Sequence, residues 1–259
     1  MRADIHDIGK TRIAIVTGGS RGLGRSTALG LARRDIDVII TYETNRLEAG
    51  KVVDEIVGAG RRAIALQLDV GRAASFGDFA REVQQALEQF GTDRVDYLIN
   101  NAGTSHHGTF DGTSEDELDA LYSVHFKGVF LLSQKLLPLM RDGGRIVNVS
   151  TGLTRIVIPG SAAYASMKGA VEVLTRYMAK ELGPRRIAVN VVAPGAITTD
   201  FSGGMVRDNP DINKRVADMT ALGRAGVPDD IGPMIASLLS EDNRWVNAQR
   251  IEVSGGMSI

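Results

Sequence analysis

A chain of 259 residues with 43% hydrophobic and 24% charged side chains is long enough to bury a large core and offers no compositional case for disorder. Its formal net charge of -1 argues against nucleic acid or an anionic membrane as principal partner, and the lack of cysteine excludes disulfides, thiolate nucleophiles and thiolate metal sites. The polar N-terminus MRADIHDIGKTR lacks the apolar stretch of a secretory signal, and no run approaches the ~18 apolar residues of a spanning helix, so a cytoplasmic location is expected.

The first β-branched run, 13–16, leads into TGGSRGLG and a helical pattern over about 22–33. A second run, 38–41, ends beside Tyr42 and Glu43 and precedes a helix predicted over 45–58. The third, 63–68, is followed by Asp69 and Val70 and by a helix over 75–89, for which Ser75 and Asp78 suggest a capping box. The fourth, 95–99, opens onto Asn100-Asn101-Ala102-Gly103; a long helix over 114–137 follows, capped by Ser114 with Glu117 and closed or kinked by Pro138. The fifth, 145–149, is followed by Ser150 and Thr151, and a helix over 162–181 carries Tyr164 and Lys168. Gly183-Pro184 separates that helix from a sixth run, 187–192, and Pro194-Gly195 follows. The aperiodic stretch 196–226 is a candidate substrate lid, a helix is predicted over 229–240, and 250–253 supplies a seventh strand. The alternation predicts one α/β domain over 1–259: a Rossmann-like, doubly wound parallel sheet of about seven strands with helices on both faces.

Glycines at 18, 22 and 24, directly after a strand, let the chain turn sharply. They also let a pyrophosphate approach the amides at the start of the next helix, whose dipole favours anions. Without a ligand the same glycines make an ordinary strand-to-helix turn.

The spacing T-G-x-x-x-G-x-G resembles the short-chain dehydrogenase/reductase family in its compact single-domain branch. The Asn-Ala-Gly block, Tyr164-Ala165-Ser166-Met167-Lys168 as Y-x-x-x-K, and Pro194-Gly195 agree with it, from Thr17 to Ser254-Gly255-Gly256. The resemblance implies that Gly18, Ser20, Arg21, Gly22, Leu23 and Gly24 hold a nicotinamide dinucleotide. It further implies that Asn101, Ala102 and Gly103 shape the cofactor floor, that Asp69 and Val70 border the adenine, and that Ile197 and Thr199, just beyond Pro194 and Gly195, hold the carboxamide. From the residues alone, Asp69 could cap a turn and Thr199 a helix.

The residue that discriminates between cofactors is expected near Tyr42, where an acid would bind an unphosphorylated ribose and repel a 2′-phosphate. Tyrosine there, with Arg21 in the glycine loop, favours NADP(H) over NAD(H); Glu43 opposes this and Arg46 compensates.

Reduction of a carbonyl leaves an alkoxide that needs a proton, which a phenol supplies if its pKa of about 10 is lowered by a nearby cation. Tyr164 and Lys168 stand at i and i+4, on one helix face, and the resemblance adds that Lys168 holds the nicotinamide ribose. A neutral hydroxyl is needed to polarise the carbonyl. Family spacing, thirteen residues before the tyrosine, points to Thr151 where relatives usually have serine; Ser150, on the opposite face of an extended chain, is the alternative. His125 stands where the family usually places an asparagine that positions water behind the lysine. It can relay protons or make a structural bond across a helix kink. His106 and His107 fall near the cleft mouth, where substrate contact or exposure is expected and a metal site is not.

The leading expectation is an NADP(H)-dependent carbonyl reductase or alcohol dehydrogenase acting on a small-molecule ketone, such as a 3-oxoacyl thioester, a sugar or a bulky ketone. The segment 153–159 and the lid shape an apolar pocket in which Arg155 and Arg207 are available for an anion. A nucleotide-sensing or scaffold protein that has lost turnover is the alternative from another class; a nucleotide-sugar epimerase is disfavoured by the short stretch after Pro194. The C-terminal segment with Trp245, Val246 and Ile251 resembles one that family members bury between subunits, which implies a homotetramer.

Overall fold

The computed structural model describes residues 12–259; the N-terminal segment 1–11, read above for its lack of a secretory pattern, lies outside them. Seven parallel strands form one sheet: β1 (Arg12–Val16), β2 (Ile36–Tyr42), β3 (Ala63–Gln67), β4 (Val95–Asn100), β5 (Met140–Val149), β6 (Ala188–Pro194) and β7 (Arg250–Val253). Their order is β3-β2-β1-β4-β5-β6-β7.

Strand alternation divides the apolar residues between two cores. Ala14, Val16, Val38 and Ile40 face α1 (Gly22–Ala32), α2 (Arg46–Gly58) and α9 (Pro228–Leu238), whereas Ile13, Ile15 and Ile39 face α3 (Phe76–Gln89), α5 (Gly128–Leu136) and α6 (Ala162–Glu181). Each buried isoleucine contributes about 2–3 kcal/mol by leaving water. Truncating Ile15, which is fully buried, to alanine costs about 2–5 kcal/mol once the cavity is included.

Three boundaries depart from the sequence pattern. The span 114–137 is not one helix but α4 (Glu115–Tyr122), a π turn (Ser123–Lys127) and α5. Its capping box forms as expected, since Glu117 N–H donates to Ser114 Oγ and Ser114 N–H donates to Glu117 Oε2. Pro138 sits in a 3-10 turn just past α5. Ser75 does not cap α3, because it ends a preceding 3-10 turn and its hydroxyl donates to Arg72 O. The stretch 196–226 is not aperiodic throughout: it holds α7 (Met205–Asp208) and α8 (Pro210–Asp218), the latter capped by Asn209 and begun by Pro210.

Candidate active site

The strand order reverses beside β1, which has β2 on one side and β4 on the other, and loops leaving the carboxyl ends of such strands diverge to open a crevice. The crevice is an open cleft of about 420 Å³, and every residue singled out above for catalysis or cofactor contact except Arg46 lines it.

The glycine loop forms one wall. Gly18 has φ +64°, and a side chain on Gly24 would place Cβ 2.2 Å from Gly18 O, so neither position admits a larger residue without moving the turn. Arg21 precedes α1 in an extended conformation without capping it, and the first turn of α1 carries no acid. The helix therefore presents unsatisfied N–H groups and a positive dipole end to the cleft, which fits a pyrophosphate. Asn101 Nδ2 donates to Thr17 O at 2.8 Å and to Gly18 O at 3.2 Å, while Thr17 Oγ1 accepts the N–H groups of Asn101 and Ala102. Asn101 thus acts on the shape of the loop. The turn alternative for Asp69 is realised, since its Oδ1 accepts Gly71 N–H, whereas Thr199 Oγ1 accepts Phe201 N–H in a local turn without capping a helix, the N-cap position there being Asp200.

At the far end, Tyr42 and Glu43 are joined by Thr44 and Asn45, which the sequence reading missed; Asn45 caps α2, whose N-terminus also opens here. Arg46 is not among the lining residues. Arg21 is 73% exposed, with its closest carboxylate, Asp200, at 3.9 Å.

At the reactive end, α6 carries Tyr164 and Lys168, only 8% and 4% exposed. Lys168 Nζ donates to Val149 O at 2.8 Å and lies 5.8 Å from the centroid of the Tyr164 ring. The expected lowering of the phenol pKa is not found. Burial pushes Tyr164 up, only Thr151 pulls it back, and burial lowers Lys168 to about 8. Desolvation dominates at both groups, an effect that i, i+4 spacing does not report.

Thr151 Oγ1 accepts Leu153 N–H at 3.3 Å, which leaves its own proton free for another acceptor. Ser150 Oγ instead donates to Glu172 Oε1 at 2.7 Å and is committed there. His125 is fully buried on the π turn, with Nε2 2.9 Å from Thr104 O. That carbonyl fixes the proton on Nε2, so Nδ1, which has no partner, is a bare acceptor. Burial, then the Lys168 charge, lowers the ring to about 3.

Two expectations, both for arginines, fail. Arg155 is not free for a substrate anion: it binds Glu252 and the carbonyls of Met257 and Ser258. Arg207 is paired with Asp200 and Asp208. His106 lies 3.4 Å from Thr113 Oγ1 and His107 packs on Gly160. Val246 and Ile251 pack against the core of the chain itself, while Trp245 is exposed. Phe201, from the lid segment expected to shape an apolar pocket, enters the cleft with its ring 6.0 Å from that of Tyr164.

A family described as enoyl-(acyl carrier protein) reductase matches residues 18–258. A solved reductase, described as promiscuous and as catalysing keto-reduction at C1 during lugdunomycin biosynthesis, is 37% identical; the match covers 96% of this chain and 98% of that one, with a TM-score of 0.91. A hydroxynaphthalene reductase-like protein of Metarhizium brunneum is 35% identical over 256 residues, 95% of this chain and 94% of its own. The structure of an angucycline C-6 ketoreductase with bound NADP is 33% identical, covers 95% of both chains and has a TM-score of 0.90.

Proposed function

The chain belongs to the short-chain dehydrogenase/reductase family and is an NAD(P)-dependent oxidoreductase, and from that premise we propose an NADP(H)-dependent ketoreductase in which Tyr164 is the general acid. The observation that carries this reading is the meeting of the Tyr164 phenol, the free Thr151 proton and the buried Lys168 ammonium at one end of a cleft whose other wall is the glycine loop.

When bound, a nicotinamide dinucleotide supplies the hydride. Thr151 donates to the substrate carbonyl and so stabilises the oxyanion as it forms. Tyr164, held protonated by burial, then delivers its proton to that oxygen, and takes one in the oxidative direction. Lys168 places a positive charge beneath the phenol and favours the phenolate left behind. His125, whose Nδ1 is an acceptor without a partner among the described residues, serves in this reading as the relay that resupplies protons behind Lys168.

NADP(H) is favoured over NAD(H) because Arg21 and the N-terminus of α2 both face the end of the cleft where a 2′-phosphate would lie, and because the angucycline relative was solved with NADP. The substrate is a small molecule, which we take to be a fused aromatic ketone. Phe201 forms an aromatic wall beside Tyr164, and Val157 and Met205 leave further apolar surface on the two segments, 153–159 and 196–226, that would close over it as a lid. The relatives named for hydroxynaphthalene and angucycline reduction support that class.

A homotetramer of the single 1–259 domain, in the cytoplasm, completes the reading. Tyr122, Phe130, Val173 and Tyr177 expose apolar surface on α4, α5 and α6, and Trp245 exposes 96% of its own, surface that subunit contacts would cover. Light scattering is expected to give four chains per particle; a monomer contradicts this.

The test is NADPH consumption across a panel of fused aromatic ketones, 3-oxoacyl thioesters and enoyl thioesters. Turnover of the aromatic ketones, with NADPH preferred to NADH, is expected. Reduction of enoyl thioesters alone would shift the chemistry to C=C bonds. Tight NADPH binding with no turnover would support a nucleotide sensor.

A further inference from the structure

Behind Thr151 lies an ion-pair cluster that the proposed chemistry does not use. Its centre is Glu172, on α6 one turn beyond Lys168, with a side chain 12% exposed. One oxygen, Oε1, is approached by three donors: Ser150 Oγ at 2.7 Å, Thr154 Oγ1 at 2.8 Å and Arg250 Nε at 2.9 Å. Arg250, on β7, reaches further with Nη2, to Thr154 Oγ1 at 3.0 Å and to Thr151 O at 3.4 Å. Glu252 Oε2 accepts its Nη1 at 2.9 Å. The Thr154 hydroxyl also lies 3.0 Å from Thr151 O, so its single proton is shared between that carbonyl and Glu172.

The cluster therefore grips the chain on both sides of Thr151. Ser150 is tied to Glu172 by its side chain and to Val192 O by its N–H, while the Thr151 carbonyl is tied to Arg250 and Thr154. Thr151 itself is extended, with φ −157° and ψ 153°, and leads directly into the turn Gly152–Thr154. Apart from these ties, its hydroxyl is held by the Leu153 N–H and by its contact with Tyr164. A buried carboxylate with three donors on one oxygen is stable only while its arginine is present, so the cluster acts as a unit.

We propose that Glu172 and Arg250 are positioning residues that hold the Thr151 hydroxyl in register with Tyr164, by joining the 150–154 turn to α6 and β7. The proposal rests on the reading that Thr151 orients the substrate carbonyl.

The test is a set of double-mutant cycles. Arg250→Ala and Glu172→Gln are each made alone and with Thr151→Ala; kcat for ketone reduction and NADPH affinity, by fluorescence titration, are measured on variants with native circular dichroism. Each single variant is expected to lose about 10- to 100-fold in kcat, with NADPH affinity held within about twofold. With Thr151 already truncated, the further loss is expected to vanish. The proposal is overturned if kcat is unchanged, or if the full loss persists in the Thr151→Ala background, as a general weakening of the fold would produce. Should Arg250→Ala not fold, Arg250→Lys, which keeps the charge but not the fork, is judged by the same cycle. If Thr151→Ala alone leaves kcat intact, the parent reading falls and the proposal with it; if only the coupling is absent, the parent reading stands.

Discussion

The rings of His125 and Tyr164 meet edge to face, with centroids 5.1 Å apart and planes at 89°. His125 thereby braces one side of the phenol, while its Nε2 is spent on Thr104 O and its buried Nδ1 has no partner among the described residues. A buried acceptor without a partner is costly, and the proposed proton relay is the role that would use it.

His125→Ala is accordingly expected to lower kcat by about 10-fold or more, with a smaller effect on NADPH affinity. His125→Asn, which keeps an acceptor, restores part of the loss. Steady-state kinetics with a fluorescence titration separates the two effects, and unchanged turnover rejects the relay. Because the ring is lowered to about 3 by burial, it remains neutral across the working range and no inflection near pH 6.5 is expected from it.

The pH dependence belongs instead to Lys168. Burial lowers it to about 8, so the ammonium is present below that value and lost above it. The profile of kcat/KM for NADPH, which reports the free enzyme, is expected to be flat below pH 8 and to fall above it. Stability moves the other way. From pH 8 up to its unfolded value of about 10.4, the native state binds fewer protons at this site than the unfolded chain does, so this contribution grows as pH rises through that window and is lost as pH falls through 8. Lys168→Met is expected to remove both dependences. A wild-type profile that holds level to pH 9.5 would contradict the assignment.

Cofactor choice is tested at Arg21. Its guanidinium is solvated and only loosely paired with Asp200, so it is free to meet a phosphate. Arg21→Ala is expected to weaken NADPH by about 10-fold and NADH by far less, since a charged hydrogen bond contributes about 1.5–3 kcal/mol. Equal or better wild-type efficiency with NADH sinks the preference.

The parts of this molecule visible in its sequence are those set by local chemistry. Gly18 and Gly24 announce the tight turn because only glycine fits it, and seven short apolar runs announce the strands, buried in β1, β2, β4, β5 and β6 and only partly so at the edges β3 and β7. The π turn at His125 was legible only as a helix kink, because one extra residue in a helix leaves no breaker within Ser123–Lys127 to fix its form. Helix α8 had its signals in Asn209 and Pro210, but only Val216 of its residues is buried, so no apolar period drew attention to them. Arg155 and Arg250 were unreadable for another reason. Arg155 finds Glu252 97 residues away, and Arg250 finds Glu172 78 residues away, so only the folded sheet brings them together.

The phenol of Tyr164 decides the whole account. NADPH binding and ketone reduction are to be measured side by side for the wild type and for Tyr164→Phe, which removes one oxygen and leaves the ring against His125 and Phe201. The expected result is unchanged NADPH affinity with kcat reduced by about 100-fold or more. A variant that binds NADPH and still reduces the ketone at close to the wild-type rate would show that the proton comes from elsewhere.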